Sequence, residues 1–211
     1  MVEDILLESK IPTFIVAGDN EWNDCGNDRQ INAAWGKWTQ HFMQFENHWN
    51  HSLPVVRSLD YPENFYMIYK RTLIFGLRIV GGRVQDVMEW TTRHTIEVNW
   101  VKKIVQMNVP LNADGVLIMA HAKPTEDHVK FFNPLRQFIR DDLNNTVPFF
   151  YLHGDGHKYV YTRDFFNQPN FAGLQLQGGV QDPVMKILAD PHAMGSSVYS
   201  AFQYDRQPQF M

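Results

Sequence analysis

The chain has one cysteine, no long apolar run and no excess of basic residues. Cys25 alone cannot form an internal disulfide, and a single thiol excludes zinc and iron–sulfur sites built from several thiolates. No apolar run approaches the roughly 18–20 residues of a membrane-spanning helix. The 19 basic and 23 acidic residues give a net charge of −4, whereas nucleic-acid-binding domains usually carry a strong basic excess. The composition therefore indicates neither nucleic-acid binding nor a membrane span.

Two common catalytic motifs are also missing. The sequence contains no Gly-x-Ser-x-Gly and no Walker loop, so serine hydrolases with a nucleophile elbow and P-loop NTPases have no support. The first ten residues, Met1–Lys10, lack the basic start and the apolar stretch of a secretory signal peptide. The sequence therefore does not indicate a compartment.

What is present is the composition of one globular domain. The chain has 211 residues, of which 44% are hydrophobic and 20% charged, and a chain of this length can bury roughly 70% of its extended surface. There is no internal repeat, low-complexity segment or linker rich in Pro, Gly and Ser. We therefore expect a single domain over residues 1–211.

Hydrophobic periodicity predicts a mixed α/β order. Helices are predicted over Ile31–Phe45, Val84–Gln106 and Thr125–Leu143, with a kink or split at Pro134. Strands are predicted over Thr13–Ala17, Phe65–Tyr69, Leu73–Val80, Val116–Ala120 and Phe149–Leu152, with Lys70-Arg71 as a tight turn. An all-β C-terminal part is predicted from four further runs, Tyr159–Thr162, Leu174–Gln177, Val184–Leu188 and Val198–Tyr204.

Three of the predicted strands end in polar clusters, at Gly18–Asp24, His121–Lys123 and His153–His157. Ligand-binding groups at the carboxyl ends of strands are the usual geometry of an α/β active site. Two histidines and an aspartate around two glycines in His153–His157 suit zinc, iron or manganese, although a turn that caps a hairpin explains them too. An Asx-rich turn is the alternative for Gly18–Asp24, and a hydrogen-bonded residue at the edge of the core is the alternative for His121.

Other histidines are less informative. His48 and His51 have the spacing of a metal-binding pair, but the only acid nearby is Glu46, and we interpret both as exposed polar residues. His94 lies on the apolar stripe of the long predicted helix, where a histidine at the edge of the core is expected. Four tryptophans at helical spacing are expected in the core.

Taken together, the clusters resemble a known family. Gly18–Cys25 reads Gly-Asp-Asn-Glu-Trp-Asn-Asp-Cys, which resembles the Asn motif of one branch of the calcineurin-like metallophosphoesterases. Further matches run along nearly the whole chain, at Tyr61–Asn64, Phe75–Gly81, Asn99–Val101, Val116–Pro124, Leu152–Tyr159 and Gly178–Pro183. The resemblance implies an α/β fold, a mixed β-sandwich flanked by helices, and hydrolysis of a small-molecule or macromolecular phosphoester.

The family's active site holds two divalent metal ions on five motifs at strand ends. By resemblance, Asn20, His121 and Asp155 would hold one ion, with Asp155 in place of a histidine, and His157 would remain from the other. Glu21 follows the asparagine where the family has a histidine that aids the leaving group, a role that requires burial to raise the pKa of Glu21. His153 would contact the phosphate or a metal ligand.

The family's first two motifs, Asp-x-His and Gly-Asp, do not occur in Met1–Ala17. The resemblance therefore implies a domain that lacks its first βα unit or units, as an incomplete gene product, a processed fragment or a degenerate relative. We expect at most one bound Mn, Fe or Zn, weak or no hydrolysis by this chain alone, and an exposed sheet edge that favours self-association. The alternatives are a non-catalytic remnant with a structural or interaction role and, on its aromatic residues alone, a β-rich module that binds sugar or lipid.

Overall fold

A computed structural model describes residues 2–178, 184–190 and 197–206. The strands are β1 Val56–Arg57, β2 Phe65–Tyr69, β3 Thr72–Gly76, β4 Gly115–Met119, β5 Phe149–His153, β6 Val160–Thr162, β7 Phe171–Gln175, β8 Lys186–Ala189 and β9 Phe202–Asp205. The helices are α1 Val2–Leu7, α2 Asp28–Phe42, α3 Val87–Asn108, α4 Val129–Asp141 and α5 Val198–Ala201. Within these ranges no helix combines the length and the apolar character that crossing a membrane requires.

Seven strands form one mixed sheet in the order β1-β2-β3-β4-β5-β7-β6. The central strands β3, β4, β5 and β7 are parallel, and β1, β2 and β6 join them antiparallel. Lys70 and Arg71, with φ of 43° and 62°, form the predicted tight turn between β2 and β3, since a two-residue turn of this hand matches the strand twist. The parallel arrangement brings the carboxyl ends of β3, β4, β5 and β7 to one edge of the sheet.

Helices α3 and α4 cover one face of this sheet. Side chains from this face of the strands pack against the apolar sides of both helices and form a large buried cluster. Phe75, Val101, Phe132 and Tyr151 in this cluster have 2% of their surface or less exposed. The buried Tyr151 hydroxyl donates a hydrogen bond to the carbonyl of Ala122 at 2.7 Å. This core fixes the positions of the strand ends that follow β4 and β5.

The other face packs against a small second sheet. Strands β8 and β9 form an antiparallel pair, and α5 and β9 contribute Val198, Ala201 and Phe202 to a cluster with Phe150 of β5. The rings of Phe150 and Phe202 stack with centroids 5.4 Å apart. The predicted α/β class, with a mixed sheet flanked by helices, is confirmed.

The predicted strand Thr13–Ala17 forms no ladder. Its side chains are nevertheless used, because Phe14 packs on Phe65 with ring centroids 5.3 Å apart and Ala17 joins a cluster with Trp22 and Trp38. The apolar pattern therefore indicates that side chains of this segment pack in the interior, although its backbone pairs with no strand.

The helix boundaries are set by capping side chains rather than by the apolar stripe. A capping box between Asn27 and Gln30 starts α2 at Asp28 instead of Ile31. Asp86 accepts hydrogen bonds from the amides of Met88 and Glu89, so that α3 begins at Val87 rather than at Val84.

The remaining differences from prediction concern Pro134 and the strand ends. Helix α4 is not split at Pro134, and the β3 ladder ends at Gly76 rather than at Val80. The predicted strand Val198–Tyr204 begins as helix α5, because the Ser197 hydroxyl accepts the amide hydrogen of Tyr199. Most of the predicted motif Gly178–Pro183, as well as His192, lies outside the described residues.

The two outermost strands of the seven-stranded sheet are short. The edge strand β1 has 2 residues and β6 has 3, and short edge strands present few unpaired backbone groups to another chain. Self-association through a sheet edge stays a prediction.

Candidate metal site

Three ligating side chains converge at the carboxyl edge of the parallel strands. Asp19 follows the apolar segment Thr13–Ala17 and Gly18, His121 follows β4 and Asp155 follows β5. One ligand atom from each of the three lies within 4.8 Å of the others, and His121 Nε2 is 3.6 Å from Asp19 Oδ1. Two carboxylates and an imidazole suit a divalent cation of hard or borderline character, such as Mn, Fe or Zn.

The burial of Asp19 fits a cation at this position. Only 6% of Asp19 is exposed, and its Oδ1 is enclosed without a hydrogen-bond partner among the described residues. A buried carboxylate oxygen without a partner is costly. A cation between Asp19, His121 and Asp155 would compensate this cost directly.

Backbone hydrogen bonds hold Asp155 beside His121. The amides of Gly154 and Asp155 donate to the His121 carbonyl at 3.1 and 3.0 Å, and the Lys123 amide donates to Asp155 Oδ2 at 3.2 Å. Gly81 leaves the space that this carboxylate occupies, since a Cβ at position 81 would lie 2.2 Å from Asp155 Oδ2.

The loop that follows β3 positions His121. Both His121 and Ala122 donate backbone hydrogen bonds to the Ile79 carbonyl, and the Gly81 amide lies 3.4 Å from His121 Nδ1 as a donor. When Nδ1 accepts, the neutral ring carries its proton on Nε2, which faces Asp19. A cation held by Nε2 requires the tautomer with its proton on Nδ1. The Gly81 amide can then no longer donate to Nδ1, so this 3.4 Å hydrogen bond must break.

The Gly-Asp-Asn-Glu-Trp segment is attached to the same loop. Asn23 Nδ2 donates to the carbonyls of Gly81 and Arg83 at 3.2 and 2.9 Å, and Asp24 Oδ1 accepts the Arg83 amide at 3.0 Å. Gly82 has a φ of +78°, and a Cβ there would lie 2.3 Å from Asp24 Oδ1. These contacts fix the turn that carries Asp19.

His153 lies beside the cluster rather than in it. Its ring is 4% exposed and stacks on Tyr151, with centroids 5.1 Å apart. Burial lowers the pKa of His153 to about 4, while the charge of Asp155 acts in the opposite direction. The imidazole is therefore neutral at neutral pH, and its Nδ1 is enclosed without a partner among the described residues.

Glu21 and His157, which the resemblance also assigns to the site, are not among the three residues of this cluster. Asn20, Glu21 and His157 are exposed, so the burial that the predicted role of Glu21 requires is absent. Of the four residues predicted to bind metal, the structure brings together His121 and Asp155, and it adds Asp19, which sequence reasoning missed. The sequence feature that could have identified Asp19 is its position, because it is the first polar residue after the apolar run Thr13–Ala17 and Gly18.

Comparison of the chain with models of known protein families, with curated proteins and with solved structures gave no match. The interpretation of the site therefore depends on its geometry, burial and charge.

Proposed function

We propose that this chain is a metal-dependent phosphoester hydrolase of the calcineurin-like type, in which Asp19, His121 and Asp155 hold one divalent cation. The observation that carries the proposal is the convergence of these ligands at the strand ends, with one carboxylate oxygen enclosed and without a hydrogen-bond partner among the described residues. Three protein ligands leave coordination positions open, which is the pattern of catalytic rather than structural sites.

When bound, a divalent cation polarises a phosphoryl oxygen and lowers the pKa of coordinated water. The protein's part is to hold two carboxylates rigidly at one point. The Lys123 amide orients Asp155, and the turn anchored by Asn23 orients Asp19. Both ligands are thus positioned before a cation or a substrate arrives, which reduces the cost of organising the site.

The second candidate is a non-catalytic domain that binds one cation. The observation that favours it is that the described part of the chain contains a single cluster of such ligands, whereas family-type catalysis uses two ions with a bridging nucleophile. The two candidates agree on cation binding and differ only in turnover, so one series of variants can separate them.

Cation binding is measured by calorimetric titration of Mn²⁺ or Zn²⁺ into the metal-depleted chain. We expect one ion per chain, and Asp19→Asn should weaken binding at least tenfold because it removes a ligand charge at constant shape. Asp60→Asn is the matched control, since Asp60 is exposed and distant in sequence from the ligands. Asn20→Ala and His157→Ala test the two remaining ligands that the resemblance assigns.

Turnover is measured with an aryl phosphate monoester and a diester in the presence of the bound cation. We expect slow hydrolysis that Asp19→Asn abolishes and Asp60→Asn preserves. Tight binding without any turnover would overturn the hydrolase in favour of the non-catalytic domain. A chain that binds neither cation would overturn both candidates.

A further inference from the structure

A cavity of about 380 Å³ opens next to the candidate metal site. The side chains that line it include Lys123, His153, Lys158, Thr162, Phe165 and Gln175. Among the described residues, the lining contains two lysines and no carboxylate. Lys123 is also the residue whose amide holds Asp155, and another lining residue, Gly156, follows Asp155 in the chain, so the cavity and the cluster share a wall.

His153 brings an unused hydrogen-bonding group to this cavity. Its ring is 4% exposed and makes no hydrogen bond with the described residues, and only Nδ1 of its two nitrogens is fully enclosed. Because an N–H without an acceptor is costly when buried, Nε2 rather than the enclosed Nδ1 is the ring nitrogen that can serve a ligand. His153 can therefore donate from Nε2 to a ligand that accepts hydrogen bonds.

The surroundings hold these groups in place. Phe165 packs face to face with Tyr151, with centroids 5.9 Å apart. Gln175 is 5% exposed, and its Nε2 donates to the Lys158 carbonyl at 2.7 Å. This bond ties the backbone that carries Lys158 to strand β7, so the cavity is built on the sheet.

We propose that this cavity is an anion subsite, in which Lys123, Lys158 and His153 bind a phosphate or carboxylate group of the ligand. The inference rests on the proposed function and deepens it. The reacting phosphoryl group would lie at Asp19, His121 and Asp155, and a second anionic group of the same substrate would extend into the cavity. The substrate class is then a phosphoester that carries a further negative charge.

A second groove has a different character. It measures about 620 Å³, and three acidic residues, Asp28, Asp86 and Glu89, contribute to its lining. Arg78, which also lines it, is already 2.9 Å from Glu63 Oε1 through Nε. Charge therefore favours the cavity at Lys123 and Lys158 as the anion subsite.

The test is calorimetric titration of inorganic phosphate into the metal-depleted chain at pH 7.5 and low ionic strength. We expect one phosphate per chain, bound about tenfold more weakly by Lys158→Gln and several-fold more weakly by His153→Phe, which keeps the ring stack but removes the donor. Lys37→Gln is the charge-matched control, since Lys37 is exposed on α2 and should leave the affinity unchanged.

Two outcomes would overturn the subsite. Equal losses for Lys158→Gln and Lys37→Gln would mean an adventitious ion only, attracted by overall charge. A dependence on added Mn²⁺ would place the phosphate at the cation instead of in the cavity. Asp19→Asn separates this inference from the proposed function, because it should weaken cation binding at least tenfold while leaving phosphate binding to the metal-depleted chain intact.

Discussion

A buried histidine in α3 should make this protein sensitive to acid. His94 is fully buried, with its ring 5.4 Å from that of Trp90 and 5.5 Å from that of His128. Neither ring nitrogen has a hydrogen-bond partner among the described residues. His128, in contrast, lies with Nε2 2.9 Å from the Val80 carbonyl and accepts the Thr125 amide at Nδ1.

Burial, reinforced by the charge of Arg93, lowers the pKa of His94 from 6.5 to about 2. Below pH 6.5 the unfolded chain takes up a proton at this position, while the folded chain does not until near pH 2. The unfolded state thus binds more protons, and His94 lowers the free energy of unfolding as the pH falls. From pH 7 to pH 5 this loss amounts to about 2 kcal/mol.

The perturbation is His94→Leu, which has a similar volume and no titrating group. We expect the difference in free energy of unfolding, variant minus wild type, to rise by about 2 kcal/mol when the pH falls from 7 to 5. The assay is urea unfolding at both pH values, followed by circular dichroism. Thr95→Ala, an exposed change on the same helix, should keep the wild-type pH dependence. An identical pH dependence for His94→Leu and the wild type would refute the reasoning.

Two further predictions concern Glu97 and Gly81. Burial raises the pKa of the fully buried Glu97 from 4.5 to about 7, so this group adds stability as the pH falls. Urea unfolding of Glu97→Gln should therefore show a relative loss of about 2 kcal/mol from pH 7 to pH 5, and a relative gain would contradict the assignment. Gly81→Ala should weaken Mn²⁺ binding at least tenfold in calorimetry because its Cβ displaces Asp155. Gly36→Ala, whose Cβ meets nothing within 4 Å, should leave Mn²⁺ affinity unchanged and add roughly 0.5–1 kcal/mol of stability.

Local patterns in the sequence were sufficient for the central elements. The strand Phe65–Tyr69, its tight turn at Lys70-Arg71 and the buried runs near β4 and β5 follow from alternation, apolar content and turn chemistry. The helices α2, α3 and α4 follow from periodicity, although hydrogen bonds to Asn27 and Asp86 moved the start of two of them. The finer calcineurin-like fold stays a prediction that depends on the resemblance.

The failures of prediction have a common cause. Thr13–Ala17 has the composition of a strand, but the segment pairs with no strand and packs through Phe14 instead. The start of Val198–Tyr204 became helix α5 through a cap at Ser197. The composition of a segment indicates whether it is buried. Whether it forms a strand or a helix depends also on which hydrogen-bond partners lie next to it in the folded chain.

The candidate site shows the same division. Sequence patterns indicated that polar clusters follow the strands, and the resemblance predicted that His121 and Asp155 belong to one site. Only the tertiary structure brings Asp19 to them, because the backbone conformation of the turn decides that Asp19 is buried while Asn20 is exposed. The tertiary structure likewise collects Lys123, His153 and Lys158 around one cavity, because parallel pairing of β4, β5 and β7 aligns strand ends that are distant in sequence.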